Sequence, residues 1–154
     1  MKVGILGVAV AISLLVAPVI SAVRPGQAAP EAPPPEQFTR VCGNCHSPER
    51  ILASRRSRDQ WQEVTENMVS RGAQGTEDDL AVVVKYLVTH YGRVNVNRAM
   101  PDEIVEVLAV AAADAQKIVD YRKTHGRFED MDALAAVPGI DAEKIKKQRE
   151  AIVF

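Results

Sequence analysis

The 154-residue chain has two cysteines, and both fall in one short run, Cys42-Gly43-Asn44-Cys45-His46. Two thiols three positions apart, with an imidazole directly after the second, make the attachment signature of a c-type haem. The chemistry explains the spacing. Each thiol can add to one vinyl group of the same porphyrin, and the next residue then puts an imidazole under the iron as proximal ligand. Other uses of the pair fit less well. A structural zinc site takes four protein ligands, and no second cysteine pair exists to complete one. A thioredoxin-like redox pair belongs in a βαβ context, and none is visible here. A disulfide across so short a loop would constrain little. The expected cofactor is one covalently attached haem c, held by Cys42 and Cys45 and ligated by His46.

The sixth iron position has four candidates: Met68, Met100, His90 and His125. Trp61, Val64 and Met68 recur at helical spacing and share a face. That places Met68 beside the expected pocket and makes it the favoured distal ligand, with an ordinary core methionine as the other use of the residue. Met100-Pro101 also has the look of a ligand loop, but it lies beyond the last helix expected around the haem. A thioether ligand raises the potential and suits electron transfer, whereas an open position suits gas sensing or peroxide chemistry. The sequence has three histidines, one already committed, and no Ser/His/Asp arrangement, so enzymatic catalysis is not expected.

These residues need elements to position them. Net charge is −1 and the sequence pI about 6.3, so there is no global basic field that would draw the chain onto nucleic acid. Aromatic content is 5%, which implies a thin core that a buried porphyrin would complete.

The N-terminus reads as an export signal. Met1-Lys2 is a short positive start, and Val3 to Ala17 is almost wholly apolar. Small-residue cleavage sites follow Pro18, so residues 1–22 are expected to be a signal peptide. An uncleaved anchor is the other reading, since the apolar stretch nearly reaches bilayer length; only then is membrane contact expected. Either way the rest of the chain belongs in the periplasm or on the extracytoplasmic face of the inner membrane. Residues 23–35 are a Pro-rich linker that favours extended polyproline II.

The first folded unit is expected over 36–92. A helix is predicted from Glu36 to Cys45, with Ile51 and Leu52 touching the porphyrin. Asp59 to Val69 should form a second helix, capped by Ser57. Thr76 should cap a third, whose stripe is Leu80, Val83, Val84, Leu87 and Tyr91, with Gly92 as its stop. Arg55-Arg56-Ser57-Arg58 is either a solvated loop, or a clamp for haem propionates or docking patch for an acidic partner. Cys42 to His46, Trp61, Met68, Arg71-Gly72-Ala73 and Tyr86-Leu87 together resemble the mono-haem class of cytochrome c domain. The resemblance implies that the Tyr-Leu helix packs across the N-terminal haem helix.

The second unit is expected over 94–154. Helices are predicted at Asp102–Leu108, Ala112–Thr124, Asp132–Val137 and Ala142–Ile152, as two helix-hairpin-helix units back to back. Val94-Asn95-Val96-Asn97, Ile118-Val119, Tyr121-Arg122, Gly126, Phe128 and Leu134 through Ile140 resemble the tandem helix-hairpin-helix domain of the bacterial competence DNA receptor. Such hairpins offer backbone N–H groups at a glycine turn to a phosphate. This sequence departs from the family's glycine-apolar-glycine turn. The first hairpin has Ala109-Val110-Ala111, and the second has Gly139-Ile140-Asp141, whose carboxylate repels phosphate. Nine bases against eleven acids leave the unit at −2, with Lys144 to Arg149 as its one basic cluster. DNA is therefore the disfavoured partner.

The expected fold class is all-α, a small cytochrome c domain followed by a tandem helix-hairpin-helix domain. The expected function is an exported one-electron carrier whose second domain docks a periplasmic or membrane redox partner. The alternatives are a periplasmic DNA-binding or uptake protein with an accessory haem domain, and a haem-based sensor.

Overall fold

Eight α-helices and one two-stranded ribbon are built over residues 33–154, which the computed structural model describes. The expected leader (1–22) and most of the linker (23–35) lie outside the described residues. Helix α1 spans Glu36–Cys42 and stops three residues short of the expected Cys45. Gly43 is the reason. Its N–H still reaches Thr39 O at 2.9 Å, but the chain then leaves the helix, so Cys45 and His46 sit in a loop. A four-residue helix α2, Glu49–Leu52, follows Pro48.

Helices α3 (Arg58–Ser70) and α4 (Glu77–Tyr91) begin as predicted. Each has a capping box: Ser57 with Gln60, and Thr76 with Asp79. Asp79 also accepts from Arg40 of α1 at 2.5 Å. The Thr76 backbone N–H, then Arg40, hold the Asp79 carboxyl below the usual carboxylate range. Across the same contact the Phe38 and Tyr86 rings lie 5.0 Å apart, so α4 packs over α1.

The second half begins with β1 (Val94–Asn95), followed by α5 (Pro101–Leu108), α6 (Ala112–His125), α7 (Met131–Ala135) and α8 (Ala142–Lys147). The last predicted helix is too long. After Lys147 a 3-10 turn at Arg149–Ala151 leads into β2, Ile152–Val153. This strand pairs in parallel with β1, Val94 opposite Ile152 and Asn95 opposite Val153. The β-branched Ile-Val pair suits a strand, and the ribbon ties the end of the hairpin region to its start. The class is mostly helical rather than strictly all-α.

The expected boundary between Gly92 and Val94 runs through a shared interior. One apolar cluster extends from Phe38 to Ile152, and residues 33–154 form one compact unit. Fully buried Trp61 donates its indole N–H to Tyr91 O at 3.0 Å. Arg56 N bonds Tyr91 O at 3.1 Å and Arg93 N bonds Arg56 O at 2.9 Å. Arg58 of α3 pairs with Glu106 of α5. Gly92 permits the close approach: a Cβ there would lie 2.0 Å from Val88 O and 3.1 Å from a Val107 methyl.

Candidate functional site

The Cys-x-x-Cys-His loop closes one side of an apolar cleft of about 880 Å³, its mouth included. Its lining comes from four helices and the loop. Phe38, Val41 and Cys42 come from α1, and Cys45, His46 and Pro48 from the loop. Ile51 and Leu52 lie on α2, Val64, Thr65 and Met68 on α3, and Leu87 on α4. Arg71 and Ala73 complete the rim. No carboxylate lines it. The apolar wall with a few convergent polar groups is the usual chemistry of small-molecule and cofactor sites.

Each sequence-predicted site residue can now be placed. Cys42, Cys45, His46 and Met68, scattered over three segments, all line this one cleft. Cys42 is half-buried, and burial pushes its thiol up from the ordinary cysteine range, so it stays protonated. Cys45 is exposed at the mouth, and the two thiols are not joined. His46 Nδ1 lies 3.1 Å from Ser47 O. With the proton on Nδ1, the ring donates to that carbonyl and leaves Nε2 as a ligand atom, the arrangement usual for metal-bound histidines. Among the described residues no group of three or more His, Cys, Asp or Glu side chains gathers that could cage a bare ion.

The other ligand candidates lie elsewhere. Met100 is 62% exposed and precedes α5. His90 packs its ring 4.7 Å from Tyr86 and is not part of the lining. His125 stacks on Tyr121 at 4.0 Å in the hairpin region. Trp61 shares the Met68 helix but serves the junction, with the Arg56 guanidinium 4.8 Å over its ring. Thr65 was missed, although it precedes Met68 by three positions. It is the buried polar side chain of the described core, and its hydroxyl donates to Trp61 O at 2.9 Å.

The basic run Arg55 to Arg58 is neither a free patch nor a clamp at the cleft. Arg55 donates to His90 O at 3.1 Å and Gly92 O at 3.2 Å. Arg56 donates to Ile51 O at 3.0 Å, and Arg58 is paired with Glu106. These side chains satisfy carbonyls at a helix end and join the two lobes.

The hairpin turns form the second candidate surface. Ala109 takes the left-handed conformation that the turn demands, with φ 51°, although it is not glycine. Gly139 holds φ 75° in the second turn. There Asp141 folds back on its own helix and accepts from Lys144 N at 3.0 Å. That carboxylate takes one of the N–H groups a phosphate would meet and adds a negative charge beside the rest. Lys117 of α6 reaches Asp114 at 3.0 Å and Gly139 O at 2.5 Å, linking the two hairpins. Arg122 is also spent internally, on Val96 O at 2.5 Å and Ala99 O at 2.6 Å.

Comparison with known proteins reaches the same region. Residues 90–153 carry a helix-hairpin-helix motif. Over 63 residues the chain is 36% identical to an uncharacterized protein of Haemophilus influenzae, covering 40% of this chain and 56% of that protein. Over 60 residues it is 35% identical to endonuclease/exonuclease/phosphatase family domain-containing protein 1 of Bos taurus, covering 39% of this chain and 10% of the relative. The Homo sapiens protein of that name is 33% identical over 60 residues, with the same coverage. The chain thus spans about half the length of the first of these relatives and a tenth of the others. No solved structure matches. The matched motif begins at the end of α4, inside the junction, and is compatible with nucleic-acid binding.

Proposed function

We propose that this chain is a mono-haem c-type cytochrome that carries single electrons outside the cytoplasm, with the hairpin lobe docking its redox partner. One observation carries the reading: both cysteines, His46 and Met68 line the same apolar cleft. Cys42 and Cys45 would hold the cofactor covalently, His46 would be its proximal ligand and Met68 its distal one. The group supplies a one-electron iron couple when bound. The chain's part is to fix two ligand atoms on opposite segments and to keep water out. Phe38, Val41, Ile51, Leu52, Val64 and Leu87 supply that dry wall, and a low-dielectric wall with a thioether ligand favours the reduced state. The test is mass spectrometry of the mature protein from a host with haem-maturation machinery. The expected result is one added haem that survives denaturation; an unmodified mass ends the reading.

The motif at 90–153 supports a second reading, a nucleic-acid-binding protein with an accessory haem lobe. The turn geometry is kept even where glycine is lost, as Ala109 shows. Against it stand the Asp141 cap and the net negative charge of the lobe. Full-length protein should be titrated with random duplex across a salt series. Weak or absent binding at physiological salt is expected. Micromolar affinity with a steep salt slope, lost when Lys144, Lys146 and Lys147 become Ala, would make this reading the primary one.

A further inference from the structure

We propose that Arg71 is the residue that receives the cofactor's carboxylates and thereby sets its potential, an inference that rests on the cytochrome reading above. Haem is a flat apolar ring with two propionate carboxylates on one edge. A cleft that accepts it must offer those carboxylates water or a cation. The sequence pointed to the run Arg55 to Arg58, and the structure has spent all three of its arginines elsewhere: on His90 O and Gly92 O, on Ile51 O, and on Glu106.

Counting the remaining cations of the lobe narrows the choice. From Arg40 to Lys85 the bases are Arg40, Arg50, Arg55, Arg56, Arg58, Arg71 and Lys85. Arg40 is bound to Asp79 at 2.5 Å. Arg50, Arg71 and Lys85 have no side-chain partner among the described residues. Of these three, Arg71 alone lines the cleft, and no Asp or Glu lines it to compete. Arg50 lies outside, in a shallow groove with His46, Ser47 and Ile51.

Local structure fixes where Arg71 stands. It is the residue at which α3 ends, one turn after Met68. Its own N–H and that of Ala73 both bond Met68 O, at 3.1 and 3.0 Å. Gly72 takes φ 103°, a conformation that favours glycine, and turns the chain back over the cleft. The backbone that carries the distal-ligand candidate therefore also carries the cation. A guanidinium suits the task because its planar fork can take a carboxylate with two hydrogen bonds.

A cation held at that edge disfavours the oxidised, more positive form, so its loss should lower the potential. The experiment compares loaded full-length R71Q, R71K and R50Q by redox titration, with thermal melts alongside. R71Q is expected to lower the midpoint by about tenfold in the oxidised-to-reduced ratio, ~59 mV for one electron. R71K should recover most of that, and R50Q, an equal change of charge outside the cleft, should move it much less. Equal shifts in R71Q and R50Q would reduce the effect to net charge and overturn the inference, as would an unchanged R71Q. If R71Q does not fold, R71M and R50M take its place: a larger downward shift in R71M supports the inference, and no difference overturns it. A wild type that emerges without haem overturns the cytochrome reading itself, and this inference with it.

Discussion

The two lobes are made of similar short helices but finished differently. The hairpin lobe fills its own centre. Ile104, Leu108, Ala115, Ile118, Leu134 and Ile145 are all 0% exposed, and Asp130 and Asp141 cap the starts of α7 and α8. The lobe before it leaves its centre open. Ile51, Leu52, Val64 and Met68 stay only half-buried around the cleft, whose wall is mostly apolar. Apolar surface left in contact with solvent forgoes ~25 cal/mol per Å². The hairpin lobe is therefore packed by its own side chains, whereas under the proposed reading the other lobe would gain stability from an occupant that binds its native state. Under the proposed haem reading, Cys42 and Cys45 would make such an occupant permanent.

The comparison is broken most completely by removing the attachment points. In Cys42→Ala/Cys45→Ala, haem staining on a denaturing gel should vanish. Amide exchange should quicken in α1 to α3 and change little in α5 and α6. Uniform loss of protection over both lobes would show that they fold as one through the shared interior.

Met68→Ala should come next in effect. The weak red-end sulfur-to-iron absorption of the oxidised protein should disappear and the midpoint potential should fall, while Met100→Ala, at an exposed site, leaves both unchanged. The reverse pattern would move the distal ligand to Met100.

Paired core truncations sharpen the contrast. Leu134→Ala should cost ~2–5 kcal/mol with or without cofactor, because its site is packed on all sides. Leu52 lies half-buried on the cleft wall, so the cost of Leu52→Ala should be in that range only in the loaded protein and clearly smaller in the unloaded one. Denaturant titration of both variants in both states measures the four values.

Acid should act on the α1–α4 contact. The Asp79 carboxyl is held low in the folded chain, so its contribution is present above the ordinary carboxylate pKa and is lost as pH falls through the lower folded value. Asp79→Asn should lower stability at neutral pH and flatten the stability slope in that acid window, because the contribution that acid removes is already gone. The smallest effect expected is from Ala109→Gly. Relief of the positive φ should stabilise the chain by ~0.5–1 kcal/mol, read as a shift of the melting midpoint.

Much of this was legible in local sequence. Ser57 with Gln60 and Thr76 with Asp79 announced where α3 and α4 begin, because capping is satisfied within four residues. The Cys42 to His46 run stood out because haem attachment demands three residue types at fixed spacing, but the helix predicted through Cys45 ends at Cys42. Errors came where a local signal met a distant partner. The last helix was drawn through to Ile152 on apolar periodicity, but Ile152-Val153 finds β1, nearly sixty residues earlier. Arg55 to Arg58 read as a surface cluster because nothing nearby in sequence reveals that their partners are His90, Gly92 and Glu106.

What the sequence determined by itself was set within a turn or two: the capped helix starts, the stops at Gly92 and Gly126, and the altered hairpin turns. Only the tertiary structure decided which side chains share the cleft. It brought Met68 there and left Met100 exposed, and it set Trp61 and three arginines to hold the lobes together. It also left Arg71 as the cation on the rim. The reason is physical. Helical periodicity tells which face of a helix is apolar, but which neighbour covers that face depends on contacts between segments far apart in the chain.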